Sequence, residues 1–183
     1  MASYWLVETP PPRPAPVVED PEVVVVGAGV TGCAAALRLA QAGKRVRLQD
    51  ARAVAEGASG RNGGFALRGM PAPFDVTAET VGDEAARALM AWTERAIDTI
   101  ESLAGDSFRR VGSLRIAVDD EERDELRAEY EALVAAGFAA EWVVDFEPPL
   151  AGRFTGALRH VPDGVLQPAR WVRRLAGLAV GHH

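Results

Sequence analysis

The clearest break in the hydrophobic pattern comes at residue 22. Val23 to Val26 form an unbroken β-branched run, which predicts a strand buried on both faces of a parallel sheet. Apolar residues recur at helical spacing from Val30 to about Ala42, and Gly43 predicts the stop. Val46 and Leu48 open a second strand that ends at Asp50. After the breaks at Pro71 and Pro73, residues 83 to about 104 read as a helix through Ala86, Met90, Ile97, Ile100 and Leu103, closed by Gly105. Val111 to Val118 alternates, with Leu114, Ile116 and Val118 on one side and Ser113 and Arg115 on the other; a half-buried antiparallel strand is predicted. Asp119 or Asp120 can cap the next helix, which carries an apolar stripe of Leu126, Tyr130, Leu133 and Val134, a solvated charged face, and an end at Gly137. A short strand near Glu141 to Asp145 precedes Pro148 and Pro149. Pro162-Asp163-Gly164 marks a turn, and Pro168 suits the first position of a last helix with Trp171, Val172, Leu175, Leu178 and Ala179 on one face. Arg170, Arg173 and Arg174 lie on its other side, as solvated or paired charges.

Residues 1–21 break this regularity. Pro10, Pro11, Pro12, Pro14 and Pro16 favour extended backbone, so the segment reads as an arm, with Tyr4 and Trp5 able to pin its start. No internal repeat is present. The chain has 183 residues, 48% of them hydrophobic, enough for a real core. A formal charge of −6 argues against a nucleic-acid or anionic-membrane partner. No apolar run reaches the length of a membrane span and no signal-peptide pattern opens the chain, so a cytoplasmic protein is the expectation. Cys33, the one cysteine, sits among small residues and reads as a buried, inert thiol. His160, His182 and His183 form no metal-ligand pattern, and no metal is expected.

The candidate chemistry lies where the first strand meets the first helix. Gly27, Gly29 and Gly32 stand in the G-x-G-x-x-G arrangement, which serves a tight turn, close approach of a pyrophosphate, and packing of helix against strand. The helix start then offers free N–H groups and a positive dipole end to phosphates. Asp50 is placed to accept hydrogen bonds from an adenosine ribose. Strand, glycines, helix, strand and acid together predict a dinucleotide site. Ala58-Ser59-Gly60-Arg61-Asn62-Gly63-Gly64-Phe65 follows instead of the further helix and strand of a simple nicotinamide domain, and its glycines allow a planar or phosphorylated ligand to come close.

The chain resembles the N-terminal part of an FAD-dependent oxidoreductase of the D-amino-acid oxidase superfamily, the group of glycine, sarcosine and gamma-glutamylputrescine oxidases. The resemblance is carried by Ser3-Tyr4-Trp5-Leu6, the stretch from Val23 to Ala51, GASGRNGGF at 57–65, the VGSLRIA strand and DGVLQPARWVRRLA at 163–176. Asp50 replaces the family's usual Glu, and Gln167 stands where His or Asn is common. The resemblance implies an α/β fold: a Rossmann-like, ββα-type FAD-binding domain of the glutathione-reductase-like kind, incomplete, with part of an α+β substrate domain. It implies an arm at 1–21, a first FAD-binding segment at 22–75, partial substrate domain at 76–160 and a return segment at 161–183. The implied FAD-binding residues are Gly27, Ala28, Gly29, Val30, Thr31, Gly32, Asp50, Ala51, Arg52, Ser59, Gly60, Arg61, Asn62, Gly63 and Gly64, with Arg61 and Asn62 nearest the isoalloxazine. The implied reaction is oxidation of the C–N bond of a small amine or amino acid by hydride transfer to flavin, followed by imine hydrolysis and reoxidation by oxygen or another acceptor; no catalytic residue is named. The chain is expected to be a truncated form, binding FAD weakly or not at all. An NAD-dependent dehydrogenase and a non-catalytic remnant or binding module are the alternative readings.

Overall fold

A computed structural model describes residues 3–12 and 16–181, so Pro14, His182 and His183 lie outside the described residues. The chain forms two compact units. One consists of Met1–Gly64, Leu103–Phe108 and Leu166–His183; the other consists of Phe65–Ser102 and Arg109–Val165.

In the first unit, helix α1 (Tyr4–Glu8) opens the arm, which the proline content had predicted to be extended. The prolines begin only at Pro10, so nothing prevents the Ser3 carbonyl from accepting the Leu6 and Val7 N–H groups. Strand β1 (Val23–Val26), helix α2 (Val30–Gln41) and strand β2 (Val46–Gln49) follow as predicted. β1 and β2 pair in parallel, from Val23 opposite Val46 to Val26 opposite Gln49. α2 covers this ribbon and buries Cys33, Ala36, Leu37 and Ala40. β1 departs from the expectation of burial on both faces: Val24 is 48% and Val26 84% exposed. The reason is that the sheet has two strands among the described residues, and the Val24 and Val26 side carries no layer within the unit. Helix α6 (Pro168–Val180) packs against α2 through an apolar face containing Trp171, Val172, Leu175, Ala176 and Ala179.

The second unit contains β3 (Phe65–Ala66), α3 (Phe74–Val81), all but the last two residues of α4 (Asp83–Ala104), β5 (Ser113–Ala117), α5 (Asp120–Ala135), β6 (Ala140–Val143) and β7 (Gly156–His160). Strands β4 (Phe108–Arg110) and β8 (Gly164–Leu166) run from one unit's residues to the other's. β5 and β6 flank β7, both antiparallel to it, and β8 lies between β3 and β4. Phe74, Ala86, Met90, Ala117, Leu126, Leu133 and Leu158 form the core. α3 has no counterpart in the sequence expectations; Pro73 precedes it as its N-cap, so a proline read as a break is a helix start.

The faces of β5 are opposite to those expected from the alternation. Ala117 is fully buried, whereas Leu114 and Val118 are 44% and 60% exposed. Cross-strand partners share a face, and Arg115 stands opposite Leu158 and Ala117 opposite Gly156, which places the Ser113–Arg115–Ala117 side toward α5. Arg115 is tolerated there because the buried Glu129 of α5 pairs with it. Glu129 therefore corrects the expectation that all charges of α5 are solvated, and Val134, expected in the apolar stripe, is exposed. The N-cap does follow the sequence: Asp119 Oδ1 accepts the Glu122 N–H at 2.9 Å.

Candidate functional site

The junction between β1 and α2 is held by contacts that only some residues permit. A Cβ at Gly32 would lie 1.8 Å from the Gly27 carbonyl oxygen, so glycine is required for α2 to start this close to the turn. Asp50, at the end of β2, returns to the same turn. Its Oδ2 accepts the Ala28 N–H at 2.7 Å and its Oδ1 the Arg52 N–H at 2.8 Å. These bonds, first from Ala28 and then from Arg52, hold the Asp50 carboxyl below its ordinary range, so it is ionised at neutral pH. The Ala28 carbonyl in turn accepts the Ala55 N–H at 3.1 Å, which folds the segment after Asp50 onto the glycine turn. Beneath it Cys33 is fully buried; burial, and then the Asp50 charge, push its thiol up to about 11, leaving it protonated and unreactive.

The second glycine-rich loop is brought to the same place. Ser59 Oγ accepts the Val30 N–H at 3.0 Å, supplying α2 with the cap that Gly29 lacks a side chain to provide. Asn62 braces its own loop: Nδ2 donates to the Ser59 and Ala58 carbonyls at 3.0 and 3.3 Å, and Oδ1 accepts the Gly64 N–H at 2.8 Å. Arg61 is exposed. Two glycines of this loop serve the chain itself, since a Cβ at Gly60 would lie 2.0 Å from the Ala55 carbonyl oxygen and one at Gly64 2.2 Å from that of Leu166. The sequence-predicted residues from Gly27 to Gly32, with Asp50 and Ser59, are thus linked by direct contacts, and Ala51, Arg52 and residues 60–64 continue from them along the chain.

Sequence reasoning missed the supports of this site. Gln167, whose role the motif left open, caps α6 through Oε1 with the Arg170 N–H at 2.7 Å and extends Nε2 to the Trp5 carbonyl at 3.0 Å. Arg173, expected among solvated or paired charges, is buried and donates to the Thr9 and Val54 carbonyls. Its position among apolar residues on α6 carries no local sign of those acceptors. In the second unit a buried polar cluster has the same character. Arg68 pairs with Glu94, donates from Nε to His160 Nδ1 at 3.3 Å, and gives its backbone N–H to Asp163 Oδ1 at 2.9 Å. Burial, and then the Arg68 charge, bring His160 down to about 4, so it is neutral at pH 7.

Residues 22–183 match the family model described as DAO, FAD dependent oxidoreductase. The chain belongs to this family. Over 84 residues it is 39% identical to the probable oxidoreductase OrdL of Haemophilus influenzae, covering 46% of this chain and 20% of that protein. Over 155 residues it is 31% identical to gamma-glutamylputrescine oxidoreductase of Escherichia coli, covering 80% of this chain and 36% of that one. The structure of glycine oxidase from Bacillus cereus aligns with a TM-score of 0.66 at 20% identity over 89% of this chain and 44% of that chain, a likeness of fold. The chain therefore spans less than half the length of these relatives. The family's cofactor is FAD, and the α/β architecture is that of its members. The residues present fit such a group: a glycine turn closes onto a helix N-terminus, and an ionised carboxylate anchored to that turn keeps further lone pairs for ribose hydroxyls. Among the described residues no helix is long and apolar enough to cross a membrane, and no three His, Cys, Asp or Glu residues are grouped to hold a metal.

Proposed function

We propose that the first unit holds the adenosine and pyrophosphate portion of FAD and that the protein oxidises the C–N bond of a small amine or amino acid. The observation that carries the cofactor reading is the Asp50 carboxylate bonded to Ala28 within the glycine turn. In this reading the α2 N-terminus from Gly29 to Gly32 faces the pyrophosphate, and Asp50, with Ala51 and Arg52 beside it, receives the ribose. Ser59 and Gly60 border the phosphates, while Arg61, exposed next to a loop braced by Asn62, extends toward the flavin ring with Gly63 and Gly64 behind it. The second unit is then part of the substrate domain. Bound in this site, FAD would supply the hydride acceptor for amine oxidation, so the protein's own work is binding, orientation and exclusion of water. The amine substrate class is supported by the names of the relatives, glycine oxidase and gamma-glutamylputrescine oxidoreductase.

Titration of the purified chain with FAD and separately with NAD tests the cofactor, read by flavin fluorescence and by nicotinamide absorbance. Wild type should favour FAD, and Asp50→Ala should weaken FAD binding at least ten-fold. Preference for NAD, or equal FAD affinity in Asp50→Ala, would reject this assignment. Peroxide release from a panel of amines and amino acids by a full-length relative carrying these residues tests the reaction class.

A further inference from the structure

A continuous run of hydrogen bonds leads from the N-terminal arm to the start of α2. Trp5 Nε1 donates to the Asn62 carbonyl at 2.8 Å. Asn62 Nδ2 donates to the Ser59 carbonyl at 3.0 Å, and Ser59 Oγ accepts the Val30 N–H at 3.0 Å. The arm end of this run is itself fastened, because the Trp5 carbonyl receives Gln167 Nε2, whose side chain also caps α6. Leu6 adds an apolar contact: its Cδ2 would lie 3.2 Å from a Cβ at Gly60. The far end of the loop is tied separately by the Leu166 N–H on the Gly64 carbonyl at 2.6 Å. Loop 57–64 is therefore tied to the rest of its unit at Ser59, Asn62 and Gly64, and the tie at Asn62 depends on an indole N–H, which phenylalanine would lack.

We propose that Trp5 is a positioning residue for the dinucleotide pyrophosphate: its N–H fixes the Asn62 carbonyl and thereby sets the Ser59 hydroxyl against the α2 N-terminus. Ser59 Oγ already accepts from Val30, so its own hydrogen is left to donate to a phosphate oxygen. Without the Trp5 bond the ligand has to order the loop as it binds, which lowers affinity. This inference rests on the FAD reading above, and two measurements keep their failures apart.

The first is amide hydrogen exchange of the full chain without cofactor. Trp5→Phe should speed exchange at 57–64 and Val30 by roughly three- to ten-fold, the scale of one hydrogen bond, while exchange in the second unit stays unchanged. Unchanged exchange at 57–64 overturns the latch whatever FAD does. The second is FAD affinity in a cycle of wild type, Trp5→Phe, Ser59→Ala and the double variant. Trp5→Phe should weaken FAD by roughly the same factor in wild type and have little effect in Ser59→Ala, because the residue acts through Ser59. A merely structural Trp5 would give additive losses, and additivity, or an unaltered Kd, overturns the proposal. Failure of wild type to bind FAD removes the cofactor reading and Trp5's role in it, while the exchange result still judges the latch alone.

Discussion

Gly32 and Gly177 show how the same residue type answers to different constraints. Ala at Gly32 would force its Cβ against the Gly27 carbonyl oxygen, backbone that moves only with β1 or α2, so Gly32→Ala should lower stability by about 1–3 kcal/mol or more in urea titrations. Gly177 lies in the last turn of α6 with open space where a Cβ would go, so Gly177→Ala should raise stability by about 0.4–1 kcal/mol. His160 gives a pH-dependent counterpart. In the unfolded chain its proton is bound below its ordinary value near 6.5, whereas in the folded chain it stays neutral until about pH 4. The unfolded state therefore binds the extra proton in that window, and folding stability must fall as pH drops from about 6.5 toward 4. Arg68, Arg115 and Asp163 act on this imidazole, and Glu129, raised by burial, contributes with the opposite sign at the acid end. Comparison with His160→Gln isolates the effect: the urea midpoint should fall more steeply between pH 7 and 5 in wild type. Equal slopes would show that His160 does not titrate as its burial requires.

At the scale of elements, β5 illustrates how a correct period can carry the wrong orientation. Its alternation was legible, but which side faces α5 depends on pairing with β7 and on Glu129 being present to meet Arg115. Substitutions should follow the observed faces. Leu114→Lys is expected to change stability by about 0.5 kcal/mol or less, because the side chain already borders solvent. Ala117→Leu should cost about 1–3 kcal/mol, because the site is fully buried against α5. The reverse ranking in chemical denaturation would mean that the strand is turned over. Helix boundaries behaved differently: Gly43, Asp119 and Pro168 act on the residues immediately beside them, so the starts and stops they predicted are found close to the expected positions.

For the molecule as a whole, the proposed site would offer FAD a turn, a carboxylate and one loop, while among the described residues the Val24 and Val26 face of β1 carries no layer within its unit. FAD affinity grows with enclosure of the ligand, so the 183-residue chain should bind FAD weakly and leave the flavin ring open to an aqueous quencher such as iodide. Tight binding with a shielded flavin would show that the chain encloses the ring unaided. The strand-turn-helix-strand unit and the order of its glycines and acid were determined by the sequence by itself, because each depends on residues close together in the chain; so was the resemblance to FAD dependent oxidoreductases, because it rests on short motifs that are each read locally. Only tertiary structure decided that Trp5 meets Asn62, that Gln167 joins α6 to the arm, that Arg173 is buried, and that Arg68, His160 and Asp163 form one cluster. These contacts join positions far apart in the chain, and a polar side chain bears no local mark of a partner that folding brings to it.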